Sequence, residues 1–206
     1  MKKTLWGAAA LVALVCALPA QAQYRYNEGA RPLPPAGSAP NQLVPAVASD
    51  GRYDTVNHGI SRDETAWHVR AALNVAALGC RDEAERETVA AYNAMLGRHK
   101  APLAAADLAV KAQYRARYGA GWDSRHDRDM TRVYNFFAQP PAQTNFCRVA
   151  RDVLAEARRV SPEQFAAFAA DALPRLEAPF TDFYRDYDAW RVADRAWQGR
   201  LASVQR

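Results

Sequence analysis

The chain has 206 residues, 50% of them hydrophobic and 24% charged, with 27 Lys and Arg against 22 Asp and Glu for a net charge of +5. That excess is small and interleaved with acids, whereas nucleic-acid binders concentrate Lys and Arg on one face, so nucleic acid is not an expected partner.

Residues 1–22 read MKKTLWGAAALVALVCALPAQA. Lys2 and Lys3 precede an apolar run from Leu5 to Leu18, Pro19 breaks it, and Ala20-Gln21-Ala22 offers small residues at the two positions a signal peptidase reads. The run is about 14 residues, short of the roughly 20 that cross a hydrocarbon core. Val15 before Cys16 argues against a lipobox, in which that position is small. The expected mature chain therefore starts at Gln23, leaves the cytoplasm and, with no second long apolar run, carries no transmembrane segment. Removal of Lys2 and Lys3 lowers the positive excess further.

From Gln23 to about Val47 the composition is that of a linker, with five prolines among Gly, Ser and Ala and no period of 3.6 or 2. SDGRYDTVNHGIS follows, with turn signals at Asp50-Gly51 and His58-Gly59, and reads as a small hairpin or a strap on the helices. Residues 23–60 are thus expected as a Pro/Gly-rich lead and strap, and 61–206 as an all-helical domain.

Ser61-Arg62-Asp63-Glu64 is a capping box that opens a first helix running to about Leu78. His68 near its start is expected at the surface or half-buried. The second helix opens on acids and closes on Arg98, His99 and Lys100, with His99 expected as a cation near the last carbonyls. Pro102 suits the first turn of a third helix that carries Leu103, Val110, Tyr114 and Tyr118 and stops at Gly119 to Gly121. Asp123 is expected to cap a shorter fourth helix ended by Pro140-Pro141. A fifth begins at Thr144 or Asn145, and Ser161-Pro162-Glu163-Gln164 caps a sixth that meets Pro174 and Pro179. A last helix is expected from about Thr181. The fold class is one all-α, bundle-like domain of six or seven helices with short connections, and about 145 residues suffice for such a domain to fold alone.

The mature chain keeps two cysteines, Cys80 and Cys147. An even pair in an oxidising compartment is most simply a disulfide. Both lie on apolar stripes at helical spacing, Val69-Leu73-Ala76-Cys80 and Cys147-Ala150-Leu154-Ala157, so both sulfurs should enter one core. A metal site is not expected, because no Cys-x-x-Cys or Cys-x-x-His occurs, and neither cysteine has an evident activating base. No cofactor-binding pattern, His-Glu-x-x-His, Gly-x-Ser-x-Gly, Ser-x-x-Lys or phosphate loop is present.

Two constellations remain. Asp123, His126 and Asp127 share a helical face, and two carboxylates with an imidazole can act as an acid–base pair or hold a divalent cation. Arg125, Arg128 and Arg132 interleave with them, which equally describes a solvated, ion-paired helix start. In the last helix, Phe183, Tyr187, Trp190, Asp194, Trp197, Leu201 and Val204 alternate spacings of 4 and 3. Packing on the chain's own helices, pairing with a partner or second copy, and stacking of Trp190 and Trp197 on sugar rings are the three readings of that stripe.

ALNVAALGC, YNAML and YNFFAQPPAQTNFC together resemble a group of small secreted α-proteobacterial proteins over roughly Ser61 to Pro179. The resemblance implies an exported helical domain in which both cysteines recur; it implies no activity and no catalytic residue. The preferred expectation is an exported, non-catalytic envelope protein that binds another envelope component or itself. The alternatives are a periplasmic hydrolase or lyase around Asp123, His126 and Asp127, and a sugar binder using Trp190 and Trp197.

Overall fold

The structure, a computed structural model, describes residues 30–39 and 41–204. The expected leader at 1–22 and the start of the Pro-rich segment lie outside the described residues. Six α-helices follow one another: α1 Arg62–Gly79, α2 Glu85–Arg98, α3 Lys100–Tyr118, α4 Trp122–Phe137, α5 Gln143–Ala157 and α6 Phe165–Val204. Among the described residues the extended chain forms a single antiparallel bridge, Val47 with Tyr53. The fold is all-α, as the patterning requires.

Helix α1 is the central element and packs against each of the other five. Its capping box forms as expected: the Ser61 amide donates to Glu64 Oε2 at 2.8 Å and the Glu64 amide to Ser61 Oγ at 3.2 Å. Ala66, Ala71, Ala72, Ala76 and Ala77 are buried along it, and their small side chains let neighbouring backbones approach. The missing volume comes from rings: Phe136, Phe137, Phe146 and Phe180 meet at centroid distances of 4.9 to 5.8 Å beneath it.

Cys80, the residue that closes α1, is bonded to Cys147 in α5, 67 positions further along the sequence, with Cα atoms 5.7 Å apart. Both are buried. In the chain-entropy treatment a loop of this size stabilises the fold by at most about 4 kcal/mol.

Several expectations change. The sixth and last helices are one 40-residue element, with Pro174 and Pro179 inside it. An interior proline loses a backbone hydrogen bond and crowds the preceding turn, at about 3 kcal/mol. Continuous burial of Phe165, Ala169, Leu173, Leu176, Phe180, Tyr184 and Tyr187 on one face outweighs that cost. Helix α4 starts at Trp122 behind Gly121, whose φ of 82° is readily open only to glycine, and Asp123 instead accepts from the next amide, Ser124 N, at 2.8 Å. The side chain of His99 does not turn to the last carbonyls of α2. It is fully buried at the joint of α2 and α3, its Nε2 donating to the Ala157 carbonyl at 2.9 Å, with its ring 4.5 Å from Phe165.

The Pro-rich lead from Pro32 onward belongs to the same compact unit as the helices. The described part of 32–60 is a strap laid across the helices. Val44, Tyr53, Val56 and Ile60 pack on the core. The Tyr53 hydroxyl donates to Asp188 at 3.0 Å, and the indole Nε1 of Trp190 donates to the Pro32 carbonyl at 3.1 Å. At Gly37 the strap passes so close to Pro141 that a Cβ would sit 3.3 Å from its Cα. Prolines, whose φ is already fixed, reduce the entropy lost when such an extended segment is ordered. The absence of a period is the signature of irregular backbone, and here that backbone is docked.

Candidate functional site

The strap does not lie flush on the bundle. Between it and the helices is a half-open cleft of about 640 Å³. One wall is the strap, with Val44, Val56 and Ile60; the floor is α1 with Glu64 and His68. The opposite wall combines the end of α3, with Tyr114, Arg117 and Tyr118, and the face of α4 that carries Arg125, Asp129, Arg132 and Phe136. Those four α4 residues recur at spacings of 4, 3 and 4, so one helical stripe is aimed into the cleft.

On that wall Asp129 is the central acceptor. Its Oδ2 takes Arg125 Nε at 2.9 Å and the Tyr114 hydroxyl at 3.2 Å, while Arg132 approaches Oδ1 only to 3.8 Å. The guanidinium of Arg125 lies 5.4 Å and that of Arg117 6.0 Å from the centre of the Tyr118 ring, so one phenol carries two cations on its π-system. Burial first, and then the Asp129 charge, pushes the Tyr114 hydroxyl up to about 12, so it stays a donor.

The floor holds the one buried imidazole of the cleft. The Thr55 hydroxyl and Asn57 Nδ2 both donate to Glu177 Oε1, the latter at 3.2 Å. With its amide nitrogen spent on a carboxylate, Asn57 turns Oδ1 toward His68 Nδ1 at 2.9 Å. Nδ1 must therefore carry the hydrogen, leaving Nε2 as the acceptor available to the cleft. Burial pushes His68 down to about 4, so the ring is neutral near pH 7. A second cavity of about 340 Å³ lies beyond the strap around Glu177 and His58, and Thr55 lines both.

Comparison with known proteins supplies no family: no family model matches the chain, and neither a curated protein nor a solved structure matches it. Function therefore rests on the site's own chemistry.

The structure places the sequence candidates elsewhere. Asp123 and Asp127 are exposed on α4. His126 is tucked edge-on against Tyr114 at 5.1 Å, with its Nδ1 3.5 Å from Asp127 Oδ1. None of the three lines the cleft, because the helix turns their positions away from the stripe of Arg125, Asp129 and Arg132. Among the described residues no group of three or more His, Cys, Asp or Glu is gathered to hold a metal ion. On α6, Tyr187 is buried, and Phe183, Trp190 and Trp197 are half-buried. The Trp190 ring packs 5.1 Å from Tyr187 under the chain's own strap.

His68, Asn57, Glu177 and the three arginines were not singled out as a site by sequence reasoning. Their one sequence trace is the Tyr- and Arg-dense run from Tyr114 to Arg132, and even there the residues facing the cleft are not the Asp and His that draw the eye.

Proposed function

We propose that this is an exported, non-catalytic binding protein of the cell envelope, which takes a small ligand in the cleft between strap and helices. The observation that carries the reading is the cleft itself. It has a volume in the range of small-molecule sites and apolar side chains from the strap and α4, with a few convergent polar groups held by neighbours rather than by the ligand. Export draws on the leader-like N-terminus and on the disulfide, a bond that persists in oxidising compartments. No described helix is long and apolar enough to cross a membrane.

Docking of a partner helix on the aromatic stripe of α6 draws less support. Trp190, central to that stripe, already has its indole N–H committed to Pro32. Catalysis at Asp123, His126 and Asp127 would need a shared concavity, and their side chains line none of the cavities described above.

Native mass spectrometry of the mature protein purified from its own envelope fraction tests the proposal. A small molecule should be retained by the wild type and lost from Met130→Trp and from Val44→Trp, two replacements that fill the cleft from opposite walls. A bare wild-type mass, or a ligand kept by both folded variants, would count against it.

A further inference from the structure

We propose that the cleft selects an amphipathic monocarboxylate, with the carboxylate held at the arginine wall and an apolar body lying on the strap side. This inference rests on the cleft being the binding site and adds the chemistry of its occupant.

The charge argument comes first. Arg117, Arg125 and Arg132 line the α3–α4 wall with one carboxylate, Asp129, which takes hydrogen bonds from Arg125 and Tyr114 but none from Arg117 or Arg132. The 3.8 Å approach of Arg132 is too long for one, and Arg117 leans on the Tyr118 ring. Of the two other acids of the cleft, Asp54 faces His58 Nδ1 at 3.2 Å, whereas Glu64, which accepts the Ser61 amide at 2.8 Å, also acts on Arg117 through its charge. With Asp129 and Glu64 set against Arg117, Arg125 and Arg132, the wall keeps an excess of one cation. Guanidinium forks match the two oxygens of a carboxylate, and the Tyr118 ring holds two of them in place before any ligand arrives.

The number of charges follows from the same residues. Asp129, Glu64 and Asp54 all border the cleft. A dianionic head, or a second acidic group on the ligand body, would be brought toward at least one of them. A head with one negative charge satisfies the arginines without that repulsion.

The body follows from the remaining surface. Val44, Val56 and Ile60 on the strap and Met130, Val133 and Phe136 on α4 supply the apolar lining. A simple carboxylate such as acetate leaves that surface wet; an alkyl or aryl body covers it and gains the burial energy. The cleft of about 640 Å³ admits such a body whole.

The test is calorimetric titration of the full mature chain at pH 7 with octanoate, octanol, octyl phosphate, octylammonium and acetate, the variants first being checked by circular dichroism and thermal melting. Octanoate is expected to bind about tenfold or more tighter than octanol, as for a gained charge-assisted hydrogen bond. It is also expected to bind more tightly than octyl phosphate, with acetate and octylammonium giving no measurable heat. Combining Arg117→Gln with Arg132→Gln should weaken octanoate by about tenfold and leave octanol unchanged. Equal binding of octanoate and octanol, both abolished by Met130→Trp, would overturn the carboxylate assignment while leaving the cleft as the site. Tighter binding of octyl phosphate would overturn the single-charge argument alone. Absence of binding by every probe, or binding that survives both Met130→Trp and Val44→Trp, would overturn the assignment of the cleft as well.

Discussion

The side-chain oxygen of Asn57 lies 2.9 Å from Nδ1 of His68, and it joins the strap to the centre of the helical domain. Asn57 reaches Glu177 on α6 with its amide nitrogen and His68 on α1 with its oxygen. One strap residue thus sets the imidazole tautomer and ties two helices together. Replacing Asn57 with Leu should leave a buried imidazole N–H without an acceptor, at a cost of about 1–3 kcal/mol in urea denaturation. Nitrogen chemical shifts of His68 should show the hydrogen on Nδ1 in the wild type; a hydrogen on Nε2 would show that Asn57 does not direct the ring.

The same burial makes His68 a source of pH dependence. Its folded value is about 4, below the ordinary histidine value of 6.5, so between these limits the unfolded chain binds a proton that the folded chain refuses. Stability should therefore fall as the pH drops from about 6.5 toward 4, by roughly 3 kcal/mol from this group. His58 acts with the opposite sign. Asp50 first, and then Asp54, hold it above the ordinary value, so its contribution is present below that value and is lost as the pH rises through the raised one. Denaturation of wild type and His68→Gln at several pH values isolates the first effect: the difference between their stabilities should change steeply between pH 6.5 and 4. A constant difference would refute it.

The disulfide closes α1 onto α5 inside the core. Joint replacement of Cys80 and Cys147 by Ala should lower stability by up to about 4 kcal/mol without changing the helical circular-dichroism signal. Thiol titration of unreduced protein from its native host should find neither sulfur free.

Pro174 is exposed within α6. Pro174→Ala restores a backbone donor and relieves crowding, offset in part by a freer unfolded chain, so the variant should be more stable by roughly 2 kcal/mol. Thermal melting measures this directly. A lower melting temperature would mean that the proline has a packing role in the neighbouring cavity around Glu177, which it lines.

The number and class of the elements were legible along the chain because their signals are local. The Ser61 capping box, the apolar period carrying Cys80 and Cys147, and the Gly119–Gly121 break each act over one or two helical turns, and each is found where those turns require. Local reasoning misjudged the two interior prolines. Their cost is local, but the burial of Leu173, Leu176 and Phe180 that overrides it is supplied by helices far away in sequence.

The cleft was legible only in fragments. Asp123, His126 and Asp127 stand out because they are dense in sequence, yet helical geometry turns them from the strap, while Arg125, Asp129 and Arg132 face it. His68 gives no sequence sign of burial, and the strap that buries it has no period to betray that it docks. By itself, then, the sequence determined an all-helical domain stapled by Cys80 and Cys147, since periodicity, caps and cysteine pairing depend on neighbours or on compartment. Only the tertiary structure decided that His68 and the arginine wall line one cleft, and that Asn57 and Glu177 hold that imidazole from behind. That decision depends on how an aperiodic strap and four helices, α1, α3, α4 and α6, pack, which is set by side-chain shape and by hydrogen bonds between residues as far apart as Asn57 and Glu177.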